Sequence, residues 1–283
     1  CIRDRMNTMQ KPYSVLTIAG YDGSGGAGIQ ADTKTISAHG CYATNVLTAL
    51  PVQNTKGVQN IYEIPAQAIR EQILSILEDI YPDAIKIGMV HSVELVHIIS
   101  EELKNYNRPI VYDPVMVATS GHRLIKEETL EACIEKLFPL ATLITPNLDE
   151  ASILVNHKID SAELMLAYGE TILNLGCQNL LIKGGHLQQE KIISYLFQKE
   201  QPVQSYTSQK IKTKNTHGSG CTLSSAIACN LALGYSLTQS VQLAQEYVEQ
   251  AILGSKDLAI GKGNGPLNHL FNPQKLKTYD IHN

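Results

Sequence analysis

The sequence has no run of 18 apolar residues, so no segment is long enough to cross a bilayer as a helix. Its opening, CIRDRMNTMQKPYS, lacks the apolar core of a secretory signal. The six cysteines (1, 41, 133, 177, 221 and 229) contain no CxxC pair, and neither they nor the histidines cluster at metal-ligand spacing, which argues against a zinc site. Reduced thiols and a cytoplasmic location are the expectation for such a chain. Positive charge is not in excess either. Lys and Arg number 23 against 27 Asp and Glu, for a formal net charge of -4. Binding to nucleic acid needs a basic surface to neutralise phosphates, so nucleic acid is excluded as a partner, as is a membrane. No internal repeat, low-complexity tract or interdomain linker interrupts the chain.

What is present is 283 residues, 43% of them hydrophobic, enough for one large core. Residues 13–283 are expected to form a single domain. Residues 1–12 read as an N-terminal extension, either disordered or a remnant ahead of a start at Met6 or Met9. Short β-prone runs alternate with amphipathic stretches. Ser14–Ala19, Ala84–Gly88, Pro109–Tyr112, Thr142–Thr145 and Leu180–Lys183 read as strands. Helical patterns cover about 28–39, 65–78 and 93–104, and two longer ones about 218–233 and 238–255. This alternation predicts an α/β fold with a mostly parallel sheet. Val46–Val58 is β-prone but interrupted by Pro51 and Asn54, and Lys191–Ile211 reads as two strands around a polar turn at 199–201, a hairpin or edge pair.

Ligands of parallel α/β sheets sit at the carboxyl ends of strands, and four loops there carry chemistry. Gly20–Gly28 follows the first strand with five glycines in nine residues, which lets backbone approach a ligand closely. Its spacing matches neither a dinucleotide fingerprint nor a Walker A loop; a flexible surface turn is the bland alternative. Asn215-Thr216-His217-Gly218-Ser219-Gly220-Cys221-Thr222 leads into a helix, whose free N–H groups and dipole would make an anion hole. Cys221, in the first turn, is expected to have a lowered pKa, unless it is merely a small buried residue. Asn147 and Glu150 share a helix face and either bind a hydrated Mg²⁺ or form a capping box. Asp113 is a further strand-end carboxylate. Lys183, before Gly184-Gly185-His186, is placed to reach a phosphate.

In order along the chain, TIAGYDGSGGAGIQADTKT, PVQNTKGVQ, KIGMV, VYDPVM, LITPNLDEA, LIKGGH, NTHGSGCTLSSAIA and GKGNGP resemble the vitamin-kinase branch of the ribokinase-like superfamily, and within it the hydroxymethylpyrimidine/phosphomethylpyrimidine kinases of thiamine biosynthesis. The resemblance implies a mostly parallel sheet flanked by helices on both faces, with a small β-flap or edge hairpin. It implies ATP and Mg²⁺ and a homodimer acting on a small-molecule substrate. Cys221 would act on the substrate hydroxymethyl group, with Gly218, Ser219 and Gly220 as the anion hole. Asp113 and Glu150 would serve the metal, and Lys183, Asn147 and Thr216 the nucleotide. Gly20, Ala27, Asp32, Gln53, Met89 and Val115 would line the acceptor pocket. The chain departs from many relatives at Gly23, where they have proline or serine, and at Gln53, where some have glutamate. A glutamine amide still offers the donor and acceptor that complement an aminopyrimidine edge. A pyridoxal kinase and a non-catalytic vitamin-binding relative are the competing readings.

Overall fold

The computed structural model describes residues 9–116, 125–185 and 190–281. Of the features singled out above, residues 1–8 and His186 lie outside the described residues.

An eight-stranded sheet organises the chain. Five strands pair in parallel: β2 (Ser14–Ala19), β3 (Tyr42–Leu47), β6 (Ala84–Ile87), β7 (Ile110–Tyr112) and β8 (Leu143–Ile144), joined by β9 (Asn179–Ile182). The antiparallel pair β10 (Lys191–Gln198) and β11 (Gln204–Gln209) closes one edge, giving the order β11-β10-β9-β8-β7-β6-β2-β3. The polar turn foreseen at 199–201 falls between these two strands.

The central strands alternate their side chains between two cores, as the pleat requires. Leu16, Ile18, Ile85, Ile87, Ile110 and Leu180 face one core, and Val15, Ala84, Val111, Leu143 and Leu181 face the other. Helices α2 (Ala66–Asp79), α3 (Val93–Leu103), α4 (Glu127–Ala132), α5 (Leu148–Leu154) and α6 (Ala162–Leu173) contribute to the first. Helices α1 (Gly28–Ala38), α7 (Ser219–Ala232) and α8 (Leu237–Leu253) cover the second. Each large aliphatic side chain buried this way contributes about 1.5–3 kcal/mol. No helix among the described residues is long and apolar enough to cross a membrane.

Two features differ from the expectations. The β-prone stretch 46–58 is not one interrupted strand. The chain finishes β3, then folds into a separate hairpin of β4 (Ala49–Asn54) and β5 (Gly57–Glu63), whose register shifts between Val52 and Gln53. Its outer strand is exposed from Val58 to Glu63. The expectation that all of residues 1–12 lie outside the fold is also corrected. Met9–Pro12 forms β1, antiparallel to β12 (Thr278–Ile281), and the Tyr13 ring packs on Tyr279 at 4.8 Å.

Candidate active site

The loops at the carboxyl ends of β2, β6, β7 and β9 converge on the N-terminus of α7. Gly218 caps that helix in the left-handed region (φ 83°), and a Cβ there would stand 1.8 Å from the Gly26 carbonyl oxygen. The glycine-rich loop and the anion-hole loop are therefore packed backbone against backbone, which only glycine permits. Asp22 ties them together. Its carboxylate, fully buried, accepts from the backbone N–H of Ser24 (2.9 Å), Gly26 (3.1 Å) and Ala27 (2.7 Å), and from the Ser24 hydroxyl (2.7 Å). His217 Nε2 lies 2.9 Å from the same carboxylate. Burial raises the Asp22 pKa, but the hydrogen bonds from His217, Ser24 and Ala27 outweigh it and hold the carboxyl far below the usual range.

Gly20, Ala27 and Met89 come together beside this loop. A Cβ on Gly20 would meet the Met89 methyl at 3.0 Å, and the Ile29 N–H donates to the Gly20 carbonyl. The Gly28 backbone N–H is near enough to the Cys221 thiol to act on its pKa. Val115 stands two residues after Asp113, its N–H donating to the Asp113 carbonyl oxygen at 2.8 Å. Gln53 is half-buried on β4 opposite Val58, on the flap. Thr216 is exposed, and its carbonyl accepts from the Ser219 N–H at 3.2 Å. That bond commits Ser219, one of the three residues expected to form an anion hole, to the loop itself. Gly220 and Cys221, in the first turn of α7, have N–H groups with no acceptor inside the helix.

In front of that helix end stands a charge cluster. A Cβ on Gly220 would lie 3.3 Å from Lys183 Nζ and 3.6 Å from Asp113 Oδ2. Lys183 Nζ donates to Asp113 Oδ1 at 2.6 Å, and the Thr145 hydroxyl to the same oxygen at 3.0 Å. Burial pushes the Asp113 carboxyl up, but Lys183 and Lys86 and the bonds from Lys183 and Thr145 bring it below its ordinary value. Glu150 behaves oppositely. Burial, aided by the charge of Asp113, pushes it up to about 7 against the pull of Lys183. Asn147 and Glu150 form the capping box of α5, each side chain accepting from the other's backbone N–H at 3.0 and 2.8 Å. Of the two alternatives weighed for this pair the structure forms the capping box, and Glu150 is close enough to Asp113 and Lys183 to feel both charges. Among the described residues no three His, Cys, Asp or Glu side chains group as a metal site.

Two expectations need correction. The helix N-terminus does not lower the Cys221 pKa. Burial pushes the thiol up to about 11, the Lys86 charge only partly offsetting it, since the desolvation of a thiolate outweighs a helix dipole here. Asp32, expected to line a substrate pocket, is instead wholly buried, its carboxylate accepting from Thr17 (2.6 Å), Lys86 (2.8 Å) and Ser225 (2.8 Å). Lys86 and Asp22 were not singled out as site residues from sequence. A lysine inside the all-buried strand Ala84–Ile87 was the available signal, because such a charge has to be paired.

A mostly parallel sheet whose strand-end loops bring a lysine and two carboxylates to a glycine-rich helix N-terminus is an arrangement suited to phosphoryl transfer. The family model for phosphomethylpyrimidine kinase matches residues 22–268. The hydroxymethylpyrimidine/phosphomethylpyrimidine kinase of Rhizobium meliloti is 42% identical over 256 residues, covering 90% of this chain and 96% of the relative. The crystal structure of phosphomethylpyrimidine kinase from Clostridium difficile superposes with a TM-score of 0.74 at 46% identity, over 84% of this chain and 99% of that one. The ADP complex of Bacillus subtilis pyridoxal kinase gives 0.84 at 35% identity, over 92% and 98%. The chain belongs to the phosphomethylpyrimidine kinase family. It spans about half the length of bifunctional thiamine-biosynthetic relatives from rice, Arabidopsis thaliana and Geobacter sulfurreducens, 48%, 52% and 54% respectively.

Proposed function

We propose that the chain transfers the γ-phosphoryl group of ATP·Mg²⁺ to the hydroxymethyl group of 4-amino-5-hydroxymethyl-2-methylpyrimidine, and then a second phosphoryl group to the resulting monophosphate, in the cytoplasmic synthesis of thiamine. The observation that carries this reading is the position of Gly220, with Lys183 and Asp113 directly in front of it and Cys221 next to it in the first turn of α7.

Phosphoryl transfer asks a protein for positioning and for stabilisation of spread negative charge. The Gly220 and Cys221 N–H groups and the Lys183 ammonium supply that charge complement. The acceptor oxygen forms its bond to the γ-phosphorus as the bond to the β–γ bridging oxygen breaks, and ADP leaves. A thiol pushed up to about 11 is neutral near pH 7. Cys221 therefore orients the hydroxyl by hydrogen bonding, and the hydroxyl proton passes late to an oxygen of the transferred phosphoryl group and from there to solvent, in keeping with a loose transition state. Asp113 and Glu150 offer carboxylate oxygens with no sulfur or nitrogen ligand, a donor set that suits a hard cation such as the Mg²⁺ that accompanies the nucleotide. The same anion hole serves the second transfer, in which a phosphate oxygen replaces the hydroxyl as acceptor.

The likeness to pyridoxal kinases keeps one competitor in view, since pyridoxal also carries a hydroxymethyl group on a flat heteroaromatic ring. A coupled ADP-release assay with the pyrimidine, its monophosphate and pyridoxal separates the two. The proposal requires the highest kcat/KM on the pyrimidine pair; turnover of pyridoxal alone contradicts it.

A further inference from the structure

Among the described residues, the tip of the flap is hydrogen-bonded to the body of the protein through Thr55. Thr55 lies in the two-residue turn between β4 and β5. Its hydroxyl oxygen accepts from the backbone N–H of Lys262 (3.2 Å) and of Gly263 (3.1 Å). Its carbonyl accepts from the N–H of Asn264 at 2.9 Å. The approach is close enough to require glycines: a Cβ on Gly263 would stand 1.9 Å from the Thr55 carbonyl oxygen, and one on Gly261 2.3 Å from its hydroxyl.

The 261–264 segment continues without a break into the anion-hole loop. The Gly265 carbonyl accepts from the His217 N–H at 3.0 Å, and His217 and Pro266 form a parallel bridge. A Cβ on Gly265 would collide with Asn215 Oδ1 at 2.0 Å. Flap turn, 261–266 segment and the loop leading to Gly218 thus form one backbone-to-backbone assembly. Gln53 stands two residues before Thr55 on the strand that this assembly holds.

We infer that Thr55 is a positioning residue for the acceptor, latching the flap and Gln53 to the loop that carries the anion hole. It touches neither substrate nor nucleotide and acts through the flap. The kinetic part of this inference rests on the pyrimidine reading above; the latch itself does not.

The variants are Thr55→Val, which keeps the shape and removes the acceptor oxygen of two hydrogen bonds, and Thr55→Ser, which keeps that oxygen. The first readout needs no substrate: the rate at which trypsin cleaves after the exposed Lys56 in the native protein, followed by mass spectrometry. The second is KM for the acceptor against KM for ATP, using whichever acceptor the wild type turns over. Losing two hydrogen bonds of ordinary strength should speed flap cleavage by about tenfold or more. Acceptor KM should rise by a similar factor, with ATP KM unchanged, and Thr55→Ser should restore both the cleavage rate and the acceptor KM. Cleavage of Thr55→Val at the wild-type rate overturns the latch. Faster cleavage with an unchanged acceptor KM, or acceptor and ATP KM rising together, overturns the positioning role. A wild type inactive on the pyrimidine but active on pyridoxal sinks the substrate reading alone and leaves both of these tests in force.

Discussion

Lys86 Nζ stands 2.8 Å from Asp32 Oδ2, and neither side chain has any solvent exposure. The pair lies close to two of the expected site residues, since Lys86 interacts electrostatically with both Cys221 and Asp113. Burial opposes the ammonium, but Asp32, Cys221 and Asp113 together hold its pKa above the ordinary lysine value. Gly88 makes room for it, as a Cβ there would come within 2.9 Å of the ammonium. Removing one partner leaves the other charged and buried, which typically costs about 3–5 kcal/mol. Lys86→Met should lose that much in urea unfolding, and Lys86→Met/Asp32→Asn should recover a large part of it. A neutral single variant would show the pair to be dispensable.

The Cys221 thiol is held up to about 11 by burial. Its alkylation by iodoacetamide should accordingly be slow at pH 7–8 and should climb towards a midpoint near 11, well above that of an ordinary exposed thiol, which is about 8.5. Cys221→Ala should fold normally yet lose about 10²-fold in turnover, the usual cost of a misplaced reacting group. An alkylation midpoint near 7 would restore the low-pKa nucleophile that the helix dipole alone suggests.

Gly218 and Gly220 should respond differently to substitution. Gly218 needs its left-handed backbone and its contact with Gly26, so Gly218→Ala should cost stability. Gly220 lies in ordinary helical backbone, and a side chain there is confined by Lys183 and Asp113 instead. Gly220→Val should leave the melting temperature nearly unchanged and lower kcat by roughly 10²–10³, the usual loss for one oxyanion-type donor. ATP KM should move much less. Abolished nucleotide binding with normal turnover of bound substrate would contradict the anion-hole assignment.

Gln53→Leu keeps the volume at the flap position but removes both amide partners. Burying the aminopyrimidine edge without them should cost about 1–3 kcal/mol in kcat/KM for the pyrimidine. Pyridoxal, which lacks that donor–acceptor edge, should lose less. Equal losses on the two substrates would make Gln53 a structural residue of the hairpin.

Much of this was legible in the sequence, for local reasons. The buried strands announce themselves as apolar runs, and the glycine strings mark loops that must approach another backbone. The Asn147–Glu150 spacing is that of a capping box, and the structure forms one. The illegible parts depend on contacts between distant residues. Met9–Pro12 carries little strand signal of its own and is ordered by a partner some 270 residues away. The direction of the Cys221 pKa follows from burial, which the string NTHGSGCT does not display. Asp32 resembles a ligand-facing carboxylate until Lys86, Thr17 and Ser225 are seen around it.

The most direct test of the functional reading is stoichiometric. The purified protein is given hydroxymethylpyrimidine with excess ATP and Mg²⁺, and products are followed by ³¹P NMR alongside ADP release. The account predicts a pyrimidine monophosphate that appears and is then consumed, a diphosphate as end product, and two ADP released per pyrimidine. Accumulation of the monophosphate with one ADP released would contradict the second transfer, and absence of any phosphorylated pyrimidine would contradict the substrate assignment itself.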